Sequence, residues 1–400
     1  MLDFSEEERT IQTAIRTYCA QQIEPKVLAM EAGEASVYPV MRDMANTFGL
    51  PDMARAMVAG GGKREENDTE KGPSAKGLGI NTAVMSILMM ELARVCPGFA
   101  LAFGASLGLF GGAVMARGTR EQKERWALPV FTMEKIGAWG LTEPSAGSDA
   151  FGSMKTRARK VPGGYRLHGS KTFITNAPFA DYFVIYARLE HAEGAGAVRS
   201  FIVERSDEGL TTGPPMKKMG MHASPTGEIF LDDVFVPAER VIGRDDTSDA
   251  RQAARSSLQQ ERFAMIPMLF GIVDRCLEEC VRFAKSREQW GNAIASFQLV
   301  QEKIARIYTA RTVMHALWMR QIEAERKGVH LPAREASAAK LYAARATTEC
   351  ALEAVQIFGG SGYMTGSVVE MMARDAKLFQ IGGGTDEIQI LRIARELLEP

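Results

Sequence analysis

In the first third of the chain, apolar residues recur every three or four positions, which is the period of an amphipathic helix. These apolar positions include Ile11, Ile15, Tyr18, Met85, Leu88, Leu92 and Val95. Residues 95–116 carry no charge and are long enough to cross a membrane. Because this stretch opens with Pro97-Gly98 and holds four more glycines, we expect a buried helix rather than a membrane span. The pattern predicts an N-terminal α-helical domain over residues 1–133.

Between residues 134 and 245 the hydrophobic period changes to two, which predicts β-strands. Short apolar runs are separated by Gly, Pro, Asn and Asp, as in YRLHG, KTFITN, DYFVIYA, SFIVE and EIFLDDVFVP. Strands of this length and spacing are typical of a small antiparallel β-barrel or sandwich.

The helical period returns after residue 246 and continues to residue 400. The first predicted helix has an apolar face at Phe270, Val273, Leu277, Val281 and Ala284, with Pro267 as a kink or a restart. Further helices are predicted over Gln298–Ala324, Arg334–Phe358 and Asp386–Leu398, which together favour a helical bundle. Because strands and helices are segregated, the fold is predicted to be mixed α and β in three domains. A doubly wound parallel sheet with a GxGxxG dinucleotide motif is disfavoured.

Composition and charge narrow the class of protein. Apolar residues make up 46% and charged residues 24%, which is ordinary for a folded chain. The net charge of −1 provides no basic field for nucleic acid. The acidic start disfavours a secretory signal or a mitochondrial presequence, and five scattered cysteines without a CxxC pair favour a reducing, cytoplasmic compartment. The polar, glycine-rich residues 59–79 are predicted to form a surface loop.

Two common kinds of active site are disfavoured. The five histidines are isolated in the sequence. Cys276 and Cys280 share one helix face but have no third ligand nearby, so we interpret them as a packing pair and expect no metal. No GxSxG elbow is present, which disfavours hydrolysis by a serine nucleophile.

The segment Trp139–Asp149 is the first candidate site. A predicted strand end is followed by a turn with glycine and the hydroxyls of Thr142 and Ser148, which suits a phosphate or the polar edge of a ring. A simple hairpin connection is the alternative. Glu143, next to a proline, is interpreted as structural.

The segment Gln380–Gln389 is the second candidate site. Thr385 is a suitable N-cap for the following helix, and Asp386 and Glu387 suit its positive end. Three glycines before it would let a ligand approach the backbone closely. A flexible hinge is the alternative.

Together these segments resemble the flavin-dependent acyl-CoA dehydrogenases, and the likeness extends over essentially the whole chain. The family's markers stand here as LTEPSAGSD (141–149), FITN (173–176), SREQWG (286–291), FQLVQ (297–301), QIFGGSGY (356–363), RDAK (374–377) and GGTDEIQ (383–389). The family fold is an α-helical domain, a β-barrel and a four-helix bundle, which corresponds to residues 1–133, 134–245 and 246–400.

The resemblance implies an FAD held between the barrel and the bundle, usually in a homotetramer, with a homodimer as the alternative. It also implies an electron-transfer flavoprotein as acceptor. By position, the residues of the chain's own flavin site would be Trp139, Leu141, Thr142, Ser148, Phe173, Thr175, Thr385 and Glu387. Residues implied to reach the FAD of a neighbouring subunit are Arg287, Trp290, Gln298, Gln356, Gly359 and Gly360. Arg287 would pair with the pyrophosphate, since a guanidinium is permanently charged.

The family's reaction needs a base that removes the α-proton of an acyl-CoA thioester. Many members place a glutamate where this chain has Gly383. The isovaleryl- and long-chain-type members place it on the first bundle helix before an arginine, which here implies Glu261 as the base and Arg262 as its neighbour. Apolar surroundings would raise the affinity of that carboxylate for a proton. The implied substrate contacts are Ser148, Arg262, Gly383 and Gly384.

The missing side chain at position 383 predicts space beside the α- and β-carbons, and hence branched or longer acyl groups. Other functions within the same fold stay open. They are a flavin oxidase or monooxygenase, a dehydrogenase of acyl-carrier-protein thioesters, and a non-catalytic FAD- or CoA-binding protein.

Overall fold

The computed structural model describes residues 3–60, 82–190, 198–243, 250–329 and 331–398, and their side chains except at residue 60 and residues 250–260. The predicted loop over residues 59–79 lies almost entirely outside the described residues. Its first two residues belong to a helix that ends at Gly60.

The N-terminal region is helical throughout its described part. Its α-helices are α1 (Glu6–Tyr18), α2 (Val27–Glu31), α3 (Tyr38–Thr47), α4 (Leu50–Gly60), α5 (Thr82–Val95), α6 (Pro97–Gly104), α7 (Gly112–Arg117), α8 (Arg120–Gln122) and α9 (Leu128–Phe131). Shorter 3₁₀ and π turns join several of them, at Cys19–Ile23, Glu24–Lys26, Ala105–Gly111 and Lys123–Ala127.

The uncharged stretch forms an interior helical segment. Pro97–Arg117 has the length and the mean hydropathy (1.8) of a membrane span, yet 67% of its most apolar window is buried within the protein. Phe110, fully buried, packs so closely on Gly137 that a Cβ at that glycine would lie 2.4 Å from the ring. The expectation of a buried helix is confirmed.

A single seven-stranded sheet follows. Its strands are β1 (Gly137–Gly140), β2 (Arg157–Val161), β3 (Gly164–Thr175), β4 (Tyr182–Leu189), β5 (Val198–Glu204), β6 (Leu210–Thr212) and β7 (Thr226–Pro237), in the order β1-β4-β2-β3-β7-β6 with β5 on β4. Each of the apolar runs predicted from the sequence forms a strand, and the runs YRLHG and KTFITN join in a single strand, β3. The expectation of purely antiparallel pairing is wrong, because β1 and β2 both lie parallel to β4. Hydrophobic period alone does not specify strand direction.

The C-terminal region is again helical. It contains α10 (Ala250–Ser286), a hairpin of β8 (Glu288–Gln289) and β9 (Asn292–Ala293), α11 (Gln298–Arg326), α12 (Ala333–Phe358), α13 (Gly360–Tyr363), α14 (Val368–Ala376) and α15 (Asp386–Leu398), with 3₁₀ turns at Ile294–Ser296 and Lys377–Gln380. A further 3₁₀ turn, Ala238–Arg240, directly follows β7. The predicted helices over 298–324, 334–358 and 386–398 agree within two residues. Helix α10 continues through Pro267 without a restart. Helices α13 and α14 were not predicted, since they are short.

Asn176, at the end of β3, ties the sheet to the N-terminal helices. Its side-chain amide donates to the carbonyl of Ala102 (2.9 Å), and the Tyr38 hydroxyl donates to its carbonyl oxygen (3.0 Å). Its backbone N–H donates to Pro225 (2.7 Å). Because buried polar groups are costly to leave unpaired, these bonds hold the 173–176 segment in a defined position.

Candidate active site

A cleft of about 1630 Å³ lies where the helical regions meet the sheet. Its walls come from the helical segment at Leu101–Leu109, the turn after β1, the end of β3, helix α10 and the glycines before α15. The cleft brings together the sequence-predicted residues Trp139, Leu141, Thr142, Ser148, Phe173, Thr175, Glu261, Arg262, Gly383, Gly384 and Thr385. Segments far apart in sequence thus form one surface.

A buried ion pair holds the turn after β1. The Lys171 ammonium lies 2.8 Å from a Glu143 carboxylate oxygen and also donates to the carbonyl of Leu141 (3.2 Å). Glu143 accepts two backbone N–H groups, from Lys155 (2.6 Å) and Thr156 (3.0 Å). Burial would raise the pKa of Glu143, but Lys171 and these hydrogen bonds keep it below its usual value. Glu143 therefore has the structural role predicted for it.

Phe173 presents an aromatic face to the cleft. It is 68% exposed, and its φ of +58° places it in the left-handed region, which bulky residues rarely adopt. The β3–β7 register shifts between Lys171 and Ile174, so a bulge turns this side chain out of the sheet. Backbone strain of this kind persists where the surrounding structure fixes it, commonly at ligand sites.

The glycines before α15 form a tight turn. Thr385 caps the helix, since its hydroxyl accepts the backbone N–H of Ile388 (3.3 Å), as predicted. Gly383 and Gly384 have φ values of +64° and +89°, which L-residues with a Cβ rarely adopt. The turn is held in place rather than hinged, because the Gly383 carbonyl accepts hydrogen bonds from Arg262 and Gln389, each at 3.2 Å.

Glu261 lies on α10 and faces this turn across the cleft. An ideal Cβ built at Gly383 would lie 3.8 Å from the Glu261 carboxyl carbon. Glu261 is half-buried as a whole residue, and desolvation of its carboxyl group raises the pKa to about 7, although Arg262 and Lys340 act in the opposite direction. A carboxylate with a pKa near neutrality can take a proton from carbon and later release it.

Met265 occupies the space that was predicted to open beside Gly383. A Cβ at that glycine would lie 2.7 Å from the methionine Cε and 2.9 Å from its sulfur. The expectation of an empty space is therefore wrong, because the next turn of α10 fills it. The thioether is flexible, however, so it can move for a ligand more easily than a branched side chain.

Two buried cations accompany Glu261. Burial lowers the pKa of Arg262 to about 10 and that of Lys340 to about 8. One guanidinium nitrogen of Arg262 is buried and has no hydrogen-bond partner among the described residues. An unpartnered buried donor on a cleft wall is costly unless a ligand pairs with it. Arg262 was predicted, but Lys340 was not. Its signal was a lysine among the mostly small, apolar residues on the buried face of α12.

The other predicted cofactor residues lie away from the cleft. Arg287, Trp290 and Gln298 are exposed on and beside the β8–β9 hairpin, and Gln356, Gly359 and Gly360 are exposed at the end of α12. The rings of Phe283 and Phe358 stack at 4.2 Å and bring the two groups to one end of the helical region. Glu387 is also exposed, on the first turn of α15.

The five cysteines are interior residues, and none of them lines the cleft. All five are buried with free thiols, and Cys276 and Cys280 are fully enclosed. No group of three His, Cys, Asp or Glu residues suitable for a metal ion occurs in the part of the chain that is described.

Three family models match successive parts of the chain. They are the acyl-CoA dehydrogenase N-terminal domain (residues 72–134), middle domain (138–234) and C-terminal domain (251–398). Isovaleryl-CoA dehydrogenase, mitochondrial, from Arabidopsis thaliana is 34% identical over 333 residues, which cover 81% of this chain and 78% of that protein. The chain belongs to the acyl-CoA dehydrogenase family. It is therefore a flavoprotein enzyme of the oxidoreductase class that acts on CH–CH groups.

Solved acyl-CoA dehydrogenase structures share the whole architecture. The glutaryl-coenzyme A dehydrogenase–glutaryl-CoA complex is 27% identical with a TM-score of 0.88, covering 99% of this chain and 96% of that one. A glutaryl-CoA dehydrogenase from Mycobacterium smegmatis in complex with FADH2 is 24% identical with a TM-score of 0.84 and the same coverage, which shows the common fold. The predicted three-part fold is confirmed.

Proposed function

We propose that this acyl-CoA dehydrogenase oxidises the Cα–Cβ bond of a branched or longer-chain acyl-CoA, with Glu261 as the base. One observation carries the proposal. The Glu261 carboxyl group lies close to where a side chain of residue 383 would begin, since its carboxyl carbon is 3.8 Å from the Gly383 Cβ position, with the Met265 thioether nearer still. The base is supplied from α10 to the same point in the cleft. Its pKa near 7 suits removal of a proton from carbon.

The residues of the cleft fit FAD. The exposed ring of Phe173 can lie against a flat aromatic system, and the turn at Thr142–Ser148 offers hydroxyls and backbone N–H groups. Bound FAD supplies the acceptor for the hydride that leaves the β-carbon. Further basic side chains on the cleft wall suit the phosphates of the cofactor and of CoA, and they are Arg188, Lys218, Lys377, Arg392 and Arg395.

The apolar wall of the cleft supports the proposed substrate class. Leu101, Ala105 and Leu109 line the cleft from the helical segment and carry no polar group that would bind a second carboxylate on the acyl chain. The flexible Met265 beside Gly383 can yield to a branch near the α-carbon. Both features favour an apolar, branched or longer acyl group.

We also propose a homotetramer that passes electrons to an electron-transfer flavoprotein. The exposed residues of the β8–β9 hairpin and the α12 end support the first part, since Trp290 is 86% exposed and such residues are otherwise costly on a surface. In the assembly, Arg287 and Gln356 would bind the FAD of a neighbouring subunit.

The experiment is anaerobic bleaching of the purified yellow holoenzyme by a panel of acyl-CoAs. Fast bleaching by branched or long apolar chains, with slow reoxidation by oxygen and a requirement for the CoA adenylate, supports the proposal. Faster bleaching by short straight chains or by glutaryl-CoA contradicts the substrate class. Rapid oxygen consumption indicates an oxidase, and no bleaching by any thioester indicates a binding protein.

A further inference from the structure

Asp375 is a buried carboxyl group that the proposed reaction does not use. It lies near the end of α14, is fully buried, and sits behind the cleft wall rather than on it. Its Oδ1 accepts the backbone N–H of Met221, while its Oδ2 has no hydrogen-bond partner among the described residues. Because a buried carboxyl group with an unpaired oxygen is costly, packing alone does not explain an aspartate at this position.

The residue that Asp375 holds belongs to the 218–224 segment, which lies between β6 and β7. The part of this segment that lines the cleft consists of Lys218, Met219, Gly220 and Met221. Met221 has a φ of +54°, in the left-handed region that residues with long side chains rarely adopt. A Cβ at Gly220 would lie 2.6 Å from the carbonyl carbon of Arg374, so the segment packs directly on the backbone of α14. Strained backbone of this kind persists only where its surroundings fix it.

A second carboxylate holds the same segment from α2. Glu31 accepts the backbone N–H of Ala223 at 2.9 Å. The Arg374 guanidinium lies 3.3 Å from Glu31 and 4.0 Å from Asp375, so one cation stands between the two acids. A hydrogen bond to an ionised carboxylate is about twice as strong as one to a neutral acceptor. The position of the segment therefore depends on the charge of both acids.

The charge of Asp375 changes close to neutral pH. Burial and the negative charge of Glu31 raise its pKa to about 7, although the Met221 N–H and Arg374 act in the opposite direction. Asp375 is therefore ionised above about pH 7 and neutral below it. The charged and titratable groups around the two acids are Glu31, Lys218, His222, Glu370, Arg374 and the Cys96 thiol.

We propose that Asp375 is a positioning residue whose ionised carboxyl group fixes the 218–221 wall of the cleft for binding of the acyl-CoA, and whose protonation releases that wall. Lys218 shows what would move. Its ammonium donates to the carbonyl of Ser224 (2.9 Å) within the segment, so a shift of the segment displaces a cation of the cleft wall. The inference goes beyond the proposed function, because it depends neither on the identity of the base nor on the acyl chain.

Hydrogen exchange of the FAD-loaded enzyme tests the release directly. In the wild type, the exchange rate of the 218–224 amides, corrected for the intrinsic effect of pH, should rise about 5- to 10-fold from pH 8 to pH 6. Asp375→Asn keeps an oxygen for the Met221 N–H but no charge, so it should exchange at the faster rate throughout. A wild-type rate that does not change with pH, or a variant with the wild-type pH dependence, overturns the inference.

Asp207→Asn is the matched control. Asp207 also accepts a backbone N–H, from Glu204 at 2.8 Å, and pairs with Arg240 at 2.7 Å, but it lies away from the cleft. This variant should keep the wild-type pH dependence of exchange in the 218–224 segment. Loss of that dependence in Asp207→Asn would contradict the assignment to Asp375.

A binding measurement separates positioning from a general loss of structure. Calorimetry follows a redox-inert acyl-CoA thioether on the holoenzyme at pH 6 and pH 8. At pH 8 Asp375→Asn should bind it about 5-fold more weakly than the wild type, because only the wild type carries the charge. At pH 6 the two proteins should bind it equally, since both are then neutral at this position. The same ratio at both pH values, or no difference at pH 8, overturns the inference.

A second variant decides the question if Asp375→Asn does not fold. Glu31→Gln removes the negative charge that raises the pKa of Asp375, so the midpoint of the exchange profile should move to lower pH. An unmoved midpoint contradicts the proposal. If no acyl-CoA reduces the wild-type flavin, the proposed function fails, whereas the exchange profiles still decide this inference.

Discussion

At the scale of single residues, the proposed chemistry depends on where one carboxyl group lies. Glu261 reaches the position opposite Gly383, and its environment differs from that of a surface glutamate. Apolar neighbours such as Met265 remove water from it, while Arg262 and Lys340 limit the resulting rise in pKa. The pKa of the proposed base is thus held near 7 rather than at the value of a free carboxylate.

The pH dependence of the wild type follows from that environment. A base must be ionised before it can take a proton, so kcat/KM should fall as the pH drops below about 7, the pKa to which desolvation raises Glu261. The measurement is flavin reduction by a fixed acyl-CoA between pH 5 and 9. A rate that stays flat down to about pH 5 would show a base with an ordinary carboxylate pKa.

The raised pKa of Glu261 also makes the stability of the folded state depend on pH, in a direction that the pKa determines. The folded pKa of about 7 exceeds the usual 4.5, so the folded state holds this proton more tightly than the unfolded state does. The contribution of Glu261 to stability therefore falls as the pH rises from about 4.5 to about 7 and is constant above. The Tm of Glu261→Gln relative to the wild type should rise across that window. A difference that does not change with pH would contradict the raised pKa.

At the scale of elements, sequence pattern predicted more of the helices than of the sheet. The capping threonine at residue 385 and the helix from Asp386 to Leu398 were predicted because both depend on local geometry. The parallel pairing of β1 with β4 depends on contacts between distant segments, so no local pattern reveals it. Met265 filling the space at Gly383 escaped prediction for the same reason, since it needs the packing of α10 on the turn.

The buried Glu143–Lys171 ion pair stabilises the turn after β1, which lines the cleft. Lys171→Met leaves the Glu143 carboxylate buried without its cation, and we expect a loss of about 3–5 kcal/mol in unfolding free energy. The exposed pair Lys135–Asp181 (3.0 Å) is the control, and Lys135→Met should cost less than about 1 kcal/mol. Denaturant unfolding measures both. Equal losses would mean that the buried pair does not hold the turn.

At the scale of the whole molecule, the candidate site is divided between two surfaces. One set of residues lines the chain's own cleft, whereas Arg287, Trp290 and Gln356 lie on an exposed end of the helical region. The sequence resemblance implied this division, because it assigned the second set to the FAD of a neighbouring subunit. These residues are exposed in the single chain, and their assignment to a neighbouring subunit's FAD stays a prediction.

Assembly should therefore depend on the hairpin residue Trp290. A charge at this 86%-exposed position, as in Trp290→Glu, should shift the oligomer towards smaller species and weaken FAD retention. Phe230→Glu changes an apolar side chain of the sheet that is 42% exposed and should leave both unchanged. Light scattering after size-exclusion chromatography, with flavin absorbance, measures the two effects. A Trp290→Glu protein that matches the wild type in mass and flavin content would place the interface elsewhere.

The position of the base is tested most directly by Glu261→Gln in the holoenzyme. Stopped-flow absorbance would follow flavin reduction by the acyl-CoA that reacts fastest with the wild type, and Glu349→Gln, an exposed glutamate on α12, is the control. We expect the rate to fall by at least about 10³-fold with FAD retained, because a positioned general base and the proton transfer it allows are lost together. A Glu261→Gln enzyme that reduces its flavin within about tenfold of the wild-type rate would show that another group removes the α-proton.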